Sequence, residues 1–520
     1  MRISSAQIQQ LALRAMLDQQ ARLSKTQQQV STGKRILTPS DDPAAAAGLL
    51  GLDQSLSISK QYQDNISIAR NHLQGEEAAL DSITKAMDRV REIAVQGNNA
   101  PLTSSDRSAL AVEVRQRLDE LLALANNRDA SGEYTFAGLQ SKTQPFTVNS
   151  SGVYQYNGDS GQRLQQIGSS RQVAIGDSGT AVFRAIREGN GTFATQDNQG
   201  NIGSGVIGPG TVTDPTAYDG DTYTLSFPVQ TPASATLSFG DAIGTNDNLN
   251  YTLQINGTTV YSVSESGTPV NTLSGLASAI NTGSATTGVR AIVDNGTLSL
   301  VNTAPGNQPI VVTESMSGGS DGDADTVTGY FGSALTGTSA ASANLTYNNT
   351  DATNYVVENS QGTLVTSGNY QASSSISFNG VSVAFKGTPR NGDSFTIRPS
   401  AQQDLFSNVE ALARALESPI SATGSQAAFN NAMSRFLANA DQDQEHISTV
   451  RARIGARINT IDSQQGLNDA VIFQVQETRS RLQDLDYASA ITRLNQQTVG
   501  LEAAQKSFLQ IQGLSLFSLL

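Results

Sequence analysis

The sequence predicts a multidomain α+β protein, in which helices from both termini form a long antiparallel coiled coil or bundle and β-rich central domains are inserted between them. Three observations lead to this class. The first 40 and the last 75 or so residues carry amphipathic helical stripes, the middle carries strand and turn signals, and acidic residues are concentrated in that middle. At 520 residues the chain is too long for one hydrophobic core, and its length suggests about three or four domains.

The stripes at the two ends repeat every seven residues, which is the period of a helix that packs along another helix. Neither stripe has an obvious partner inside its own segment, so we expect the ends to pair with each other, with copies of the same chain, or with both. The helical seams that form this predicted assembly interface contain Leu13, Met16, Leu23, Val30, Tyr487, Ile491, Leu494, Leu501, Phe508 and Ile511.

An isolated end helix is only marginally stable in water. We therefore predict that the first 40 and last 35 residues are mobile in the free monomer and become ordered on assembly. Amide exchange measured on the monomer tests this, and slow exchange throughout the tail would contradict it.

Helix boundaries are marked by capping residues and by breaks. Asp42 fits the N-cap and Pro43 the first position of a helix that continues, with few breaks, to about Ala125. The clearest break is the segment Gly97–Pro101, which should separate one long helix from the next. Helical spacing returns at about Asp404 and continues to the tail.

Strand signals fill the region between these helices. A strand at 153–156 is followed by a turn at 157–159, and 163–167 is its predicted partner strand. Residues 376–383 predict a hairpin with an Asn-Gly turn, which places Phe378 opposite Val381 and Ile376 opposite Val383. A helix over 273–280 followed by a hairpin from 289 to 300 predicts a compact α/β unit that is inserted as a module of its own.

These signals divide the chain into four nested parts. From the ends inward they are a terminal coiled coil (1–42 and 480–520), a helical bundle with a β-hairpin (43–180 and 401–479), a β-rich domain (181–232 and 345–400) and an inserted small α/β domain (233–344).

Charge follows the same division. Between Arg187 and Lys386 the sequence holds 15 acidic residues and one basic residue, Arg290, so the net charge of this segment is −14. A solvent-exposed outer surface is the best explanation of this negative charge. Such a surface repels nucleic acid and anionic membranes, and we expect neither as a partner.

The sequence offers little material for a catalytic or metal site. Cysteine is absent, and His72 and His446 lie in helical stretches where a surface or interface role is expected. The run Asp321–Asp325 resembles the start of a calcium loop, yet Thr326 replaces the required glycine and Gly332 the bidentate glutamate. We therefore predict no enzyme activity, no cofactor and no metal ion.

Two end motifs resemble those of the flagellin superfamily, in the form found among its hook-associated members. One runs from 28 to 44 and includes the letters STGKRILTPSDDPA; the other closes the chain with QIQGLSLF at 510–517. Segments 156–159, 387–395 and 272–301 are similar to internal β motifs and to a small inserted module of flagellar axial proteins. The residues that match the first motif include Gly33, Lys34, Arg35, Pro39, Asp41, Asp42 and Pro43.

The resemblance implies a structural junction protein of the bacterial flagellum, which links the hook, through the first hook-associated protein, to the flagellin filament. It also implies self-association in a ring or helical layer, and export by the flagellar type III apparatus with an export chaperone. This route suits a chain in which we expect no cleavable signal peptide, and it gives an extracellular location. Two alternatives stay open: a flagellin that forms the filament itself, and a secreted β-rich adhesin.

Overall fold

The computed structural model confirms the α+β class, with helices at both ends of the chain and strands through most of the middle. It describes residues 5–99, 102–230, 250–264, 269–294, 296–303, 309–317, 325–337, 340–347, 351–421 and 423–517. Within these residues, no helix combines the length and the apolar character that crossing a membrane requires.

The long helices belong to the two ends of the sequence. Asp42 Oδ1 accepts a hydrogen bond from a backbone N–H 3.0 Å away, and the helix that it caps begins at Pro43, as predicted. The break predicted near Gly97 is confirmed, because one helix ends at Asn99 and the next begins at Ser104. Across the described residues the helices are α1 (Ser5–Thr32), α2 (Pro43–Asn99), α3 (Ser104–Ala125), α4 (Leu273–Thr282), α5 (Ser284–Thr287), α6 (Leu405–Glu417), α7 (Thr423–Gln483) and α8 (Tyr487–Phe517), with a π-helical turn at Thr180–Arg184.

The strands form small antiparallel sheets. Two-stranded sheets are formed by β1 (Phe146–Val148) with β2 (Tyr154–Tyr156), β3 (Leu164–Gln166) with β4 (Gln172–Ala174), and β5 (Ile186–Arg187) with β24 (Gln402–Gln403). The β-rich region contains a five-stranded sheet in the order β20 (Leu364–Asn369), β19 (Asn354–Glu358), β9 (Tyr223–Ser226), β23 (Ser394–Pro399) and β6 (Phe193–Asp197). Beside it are β21 (Ser375–Phe378), β22 (Val381–Lys386) and β7 (Val206–Ile207), with β8 (Thr211–Val212) also paired to β22.

The segment predicted as an inserted module forms further sheets, together with β10 (Val229–Gln230), which precedes its predicted boundary, and the end of β18 (Ala340–Tyr347), which passes it. The strands are β12 (Thr258–Ser264), β11 (Asn250–Ile255), β15 (Ile310–Ser317) and β18 in one sheet, β10, β14 (Thr297–Asn302) and β13 (Val289–Asp294) in another, and the pair β16 (Asp325–Thr328) and β17 (Ala334–Gly337). The predicted helix and hairpin of this module are present as α4, β13 and β14. The calcium-like residues 321–324 lie outside the described residues.

The hairpin prediction at 153–167 is wrong in its pairing. The strand β2 pairs with β1, so that Tyr154 lies opposite Val148 and Tyr156 opposite Phe146. The segment that was expected to join it, β3, pairs with β4. The reason lies in the core. The ring of Phe146 is fully buried and packs 5.1 Å from Tyr156 and 5.0 Å from Phe406, measured between ring centroids.

The hairpin prediction at 376–383 is confirmed in its register. Phe378 lies opposite Val381 and Ile376 opposite Val383, and all four side chains are buried in the core of the β-rich region. Asn379 and Gly380 both have positive φ, at 39° and 74°, which is the backbone that an Asn-Gly hairpin turn requires.

Two compact units divide the chain. The first unit comprises 1–74, 163–175 and 454–520, and the second comprises 75–162 and 176–453. In the first unit, α2 and α7 run antiparallel, because residues with increasing numbers along α2 bond to residues with decreasing numbers along α7. The polar pairs that set this register are Asp53 with Arg479, Gln63 with Asp469, and Arg70 with Asp462.

A candidate assembly site at the paired termini

The first unit joins the two chain ends at a short antiparallel contact, which we call the terminal clasp and define as residues 33–35 with 482–485. The N–H of Arg35 donates to the carbonyl oxygen of Gln483 at 2.7 Å, and the N–H of Leu485 donates to the carbonyl oxygen of Gly33 at 2.9 Å. The Arg35 guanidinium adds two bonds to the carbonyl oxygen of Leu482, at 2.9 and 3.2 Å. Backbone pairing of this kind fixes the register between the ends.

Gly33 is required at the clasp for two reasons. Its φ is +69°, in the left-handed region that strains any residue with a side chain. A Cβ built on Gly33 would also lie 2.8 Å from the hydroxyl oxygen of Tyr487, so the tyrosine side chain would have to shift. The glycine of the end motif therefore ends α1 and makes room for the first residue of α8.

The acidic pair of the motif organises the turn between α1 and α2. Asp41 Oδ2 accepts from the N–H groups of Leu37 and Thr38, at 3.0 and 3.1 Å, while Oδ1 lies 2.6 Å from Lys25 Nζ. Hydrogen bonds from Lys25 and from these backbone groups lower the pKa of Asp41 to about 2. Asp42 caps α2 and lies 3.7 Å from the Arg35 guanidinium.

The remaining motif residues have simpler places. The N–H of Asp41 donates to the carbonyl oxygen of Thr38 at 3.0 Å, so that Pro39 occupies the second position of a four-residue turn. Lys34 bridges to Asp484 through the backbone, with its side chain exposed. Pro43 is the first residue of α2, where its missing N–H costs nothing. The motif residues named above therefore all lie at the clasp or at the turn between α1 and α2.

Beyond the clasp, α1 and α8 pack along each other. Gln19 Nε2 donates to the carbonyl oxygen of Gln497 at 3.3 Å, and Gly500 on α8 faces the same side chain. Six of the predicted interface residues are half-buried along this pair, namely Met16, Leu23, Val30, Leu494, Leu501 and Phe508.

Other predicted interface residues are about half exposed, or their side chains are not described. Leu13, Tyr487 and Ile491 are 46%, 50% and 46% exposed, and the side chain of Ile511 lies outside the described residues. Further exposed apolar side chains on the same two helices are Leu11, Leu17, Val499 and Leu509. The helix pair thus carries apolar surface on more than one face, and part of it is uncovered in the single chain.

The apolar periodicity overlooked half of the seam. Residues that lie between the predicted ones at spacings of three and four, and that the structure buries or half-buries, are Ala12, Gln19, Thr26, Ala490 and Gln497. They are small or polar, so a search for large apolar side chains passes over them. Strict alternation of three and four along both helices was the signal that would have identified them.

Comparisons with known proteins relate the chain to proteins of the bacterial flagellum. Residues 3–141 match the bacterial flagellin N-terminal helical region. Flagellar hook-associated protein 3 of Escherichia coli (strain K12) is 35% identical over 186 residues, which are 36% of this chain and 58% of that protein. The protein of the same name from Salmonella typhimurium is 34% identical over the same shares. The chain thus spans less than two thirds of the length of these two relatives.

Solved structures extend the likeness to most of the fold. The flagellar junction protein FlgL from Legionella pneumophila superposes with a TM-score of 0.55 at 25% identity, over 84% of this chain and all of that one. FlgL from Xanthomonas campestris has the same TM-score at 22% identity, over 82% of this chain and 99% of that one, and shows the fold alone. The chain is therefore similar to the flagellin superfamily in its N-terminal helical region, and to the hook-associated protein 3 (FlgL) proteins over a larger part of its fold.

Proposed function

We propose that this protein is a structural junction of the bacterial flagellum, which connects the hook to the flagellin filament. The observation that carries the proposal is the terminal helix pair, closed by the clasp and bearing uncovered apolar side chains. Similarity to hook-associated protein 3 of Escherichia coli and to the junction protein FlgL of Legionella pneumophila supports the same assignment.

In this proposal the paired α1 and α8 form a coiled coil whose outer faces pack against neighbouring copies. Burial of a large aliphatic side chain stabilises by about 1.5–3 kcal/mol, so a few such residues per copy suffice for a stable joint once many copies act together. Leu13, Tyr487 and Ile491 are the predicted seam residues that remain free for a neighbour, since the described structure leaves about half of each exposed.

The parts of the chain between the terminal helices have a different role. We propose that the four nested parts described above act as terminal coiled coil, supporting bundle, β-rich domain and inserted α/β domain, with the last two exposed to solvent. The acidic segment between Arg187 and Lys386 suits that exposure, because a net charge of −14 keeps outer surfaces of neighbouring copies from adhering.

The proposed place of the protein between hook and filament determines its binding partners. We propose that copies of this chain form a ring or helical layer, with the first hook-associated protein on the hook side and flagellin on the filament side. Delivery by an export chaperone and the flagellar type III apparatus places the protein outside the cell. In this role the protein is not an enzyme and binds neither nucleic acid nor membrane.

Deletion of the gene in its host tests the proposal. Cells without the protein should complete hooks and release flagellin into the medium, while complementation should restore attached filaments and motility. Filaments that remain attached in the deletion strain would contradict the junction role. Long filaments formed by the purified protein alone would instead favour a flagellin.

A further inference from the structure

The helix α7 presents polar side chains to the β-rich region, where an apolar stripe would be expected. We call them the α7 polar row: Asn431, Arg435, Asn439 and Asp443, spaced four residues apart on one face of the helix. The exposed fractions of Asn431, Asn439 and Asp443 are 4%, 8% and 0%. Buried polar groups in folded proteins are nearly always hydrogen-bonded, so the hydrogen-bond partners of this row indicate what it does.

The first half of the row holds the strands near β7. Asn431 Nδ2 donates to the carbonyl oxygen of Gly205 at 3.0 Å, and its Oδ1 accepts from the N–H of Ile207 at 2.9 Å. Arg435 Nη1 lies 2.8 Å from Asp197 Oδ1 at the end of β6. These bonds are directional, and they fix the strands against the helix in one orientation.

The second half of the row forms a continuous chain of hydrogen bonds. The N–H of Gly189 donates to Asn439 Oδ1 at 2.8 Å, and Asn439 Nδ2 donates to Asn408 Oδ1 at 3.2 Å. Asn408 Nδ2 then donates to Asp443 Oδ2 at 2.9 Å. Gly189 leads into the β-rich region, so the chain connects that region to a fully buried carboxyl group.

The surroundings of Asp443 disfavour its charged form. Its two hydrogen-bond donors, Asn408 and Gln403, are neutral amides, and the second is 3.5 Å away. Burial raises the pKa of Asp443 to about 7; the Asn408 bond lowers it, and the nearby charge of Asp404 raises it further. Asp404, the N-cap of α6, is largely shielded, with 14% of its side chain exposed, and desolvation raises its pKa as well.

Other charged groups around this site are already engaged. Arg184, on the π-helical turn, lies 3.5 Å from Asp404. Charged or titratable groups on the adjoining segments also have partners: Arg187 bonds to the Ser400 carbonyl, Glu188 to Arg398, Asp441 to Arg91, and His446 to the Ala181 carbonyl.

We propose that the chain Asp443–Asn408–Asn439–Gly189 is a pH-sensitive attachment of the β-rich region to α7. The protonated carboxyl keeps the chain closed. Ionisation of Asp443 places a charge among neutral amides and next to Asp404, and the contact opens to hydrate it.

The direction of the effect follows from proton linkage. The closed form holds the Asp443 proton more tightly than the open form does, because burial raises the carboxyl pKa. Closing is therefore favoured at low pH, and the open fraction rises by up to about tenfold per pH unit between about pH 4 and pH 7. Above that range the open fraction levels off.

Amide hydrogen exchange on the full-length protein tests this, followed by mass spectrometry on peptides covering 186–193 and corrected for the intrinsic pH dependence of exchange. Protection of this segment should fall as pH rises from 4.5 to 7. The variant Asp443→Asn keeps a neutral, hydrogen-bonding side chain, and its protection should stay constant over the same range.

Asp404→Asn is the matched variant, because asparagine caps a helix as well as aspartate but removes the neighbouring charge. In this variant the pKa of Asp443 should be lower, so protection of residues 186–193 should level off at a lower pH than in the natural protein. The proposal would be overturned if protection of residues 186–193 in the natural protein did not depend on pH. It would also be overturned if protection in Asp443→Asn changed with pH as it does in the natural protein. If Asp443→Asn does not fold, an unshifted Asp404→Asn profile would do the same.

Discussion

The β-rich region and the paired terminal helices use apolar side chains in opposite ways. In the β-rich region Phe227, Phe385 and Phe395 are fully buried and pack ring against ring, with 4.8 Å between the centroids of the last two. On the terminal helices the apolar residues of the seam are half-buried or exposed, and Val499 is 65% exposed. The first region completes its own core, whereas the second leaves apolar surface for another molecule to cover.

Charge separates the same parts of the molecule. The first unit has 15 basic and 11 acidic side chains, a net charge of +4, while the second has 18 and 35, a net charge of −17. Close packing between copies is therefore opposed only weakly in the unit that holds the termini. Repulsion is concentrated in the unit that holds the acidic segment.

The largest difference between the two regions should appear when one large apolar side chain is truncated in each. Phe385→Ala should cost about 3–5 kcal/mol of unfolding free energy, because it leaves a cavity in a closed core. Leu501→Ala, on the half-buried seam, should cost about 1 kcal/mol or less in the monomer. Urea unfolding of both variants measures the difference, and equal losses would show that the terminal pair is as self-sufficient as the β-rich core.

A second, smaller effect concerns Arg290, the single basic residue of the acidic segment. Its guanidinium pairs with Glu358, whose side chain is 4% exposed. Arg290→Met should cost about 3 kcal/mol, because it leaves a buried carboxylate unpaired. Burial already raises the pKa of Glu358. Loss of the cation raises it further, so the cost should be larger at pH 8 than at pH 5.

The double variant Arg290→Met, Glu358→Gln is the control for this pair. It removes both charges and should recover much of the lost stability at pH 8. A double variant as unstable as Arg290→Met would mean that packing of the arginine chain, rather than the charge left on Glu358, accounts for the loss.

The terminal clasp offers a third test. Gly33→Ala should cost about 1–2 kcal/mol locally, because it forces a side chain into the left-handed region and against Tyr487. Gly51→Ala in α2 is the matched control, since a Cβ there meets nothing within 4 Å and should stabilise the helix by up to about 1 kcal/mol. Amide exchange of residues 482–487 reports on the clasp, and equal protection in the two variants would refute its dependence on glycine.

The smallest effect on the monomer should accompany a large effect on assembly. Ile491→Ser alters an apolar side chain that is 46% exposed, so unfolding free energy should change by no more than about 0.5 kcal/mol. If a neighbouring copy covers this residue, cells that carry the variant should lose attached filaments. Gln496→Ser, at another exposed position of α8, should leave them intact. Normal filaments with Ile491→Ser would remove this face from the joint.

Local signals in the sequence were sufficient for local structure. The start of α2 at Pro43 and the register of Phe378 against Val381 each depend on residues that are close together in the chain. The error at β2 has the opposite origin. Its true partner, β1, was chosen by the fit of Phe146 against Phe406, a residue far along the chain that a hairpin rule does not consider.

The candidate site shows the same limit. The motif from Gly33 to Pro43 was recognisable, but the reason for Gly33 depends on Tyr487, and the role of Arg35 depends on Leu482. Sequence periodicity selected large apolar residues, six of which are half-buried between α1 and α8, and passed over small residues such as Ala12 and Ala490, which the structure half-buries or buries. The α7 polar row gave no sequence signal, since buried asparagines look like surface residues until their partners are known.

The terminal clasp also constrains the order in which the chain can fold. Arg35 and Leu482 are 447 positions apart, and closing a loop of that length in an unfolded chain costs about 5 kcal/mol in entropy. The cost falls once the intervening residues have folded, so the clasp should be among the last contacts to form. A chain interrupted before residue 482 cannot form it at all. The clasp therefore forms only in a copy that extends to residue 485 and whose intervening residues have folded.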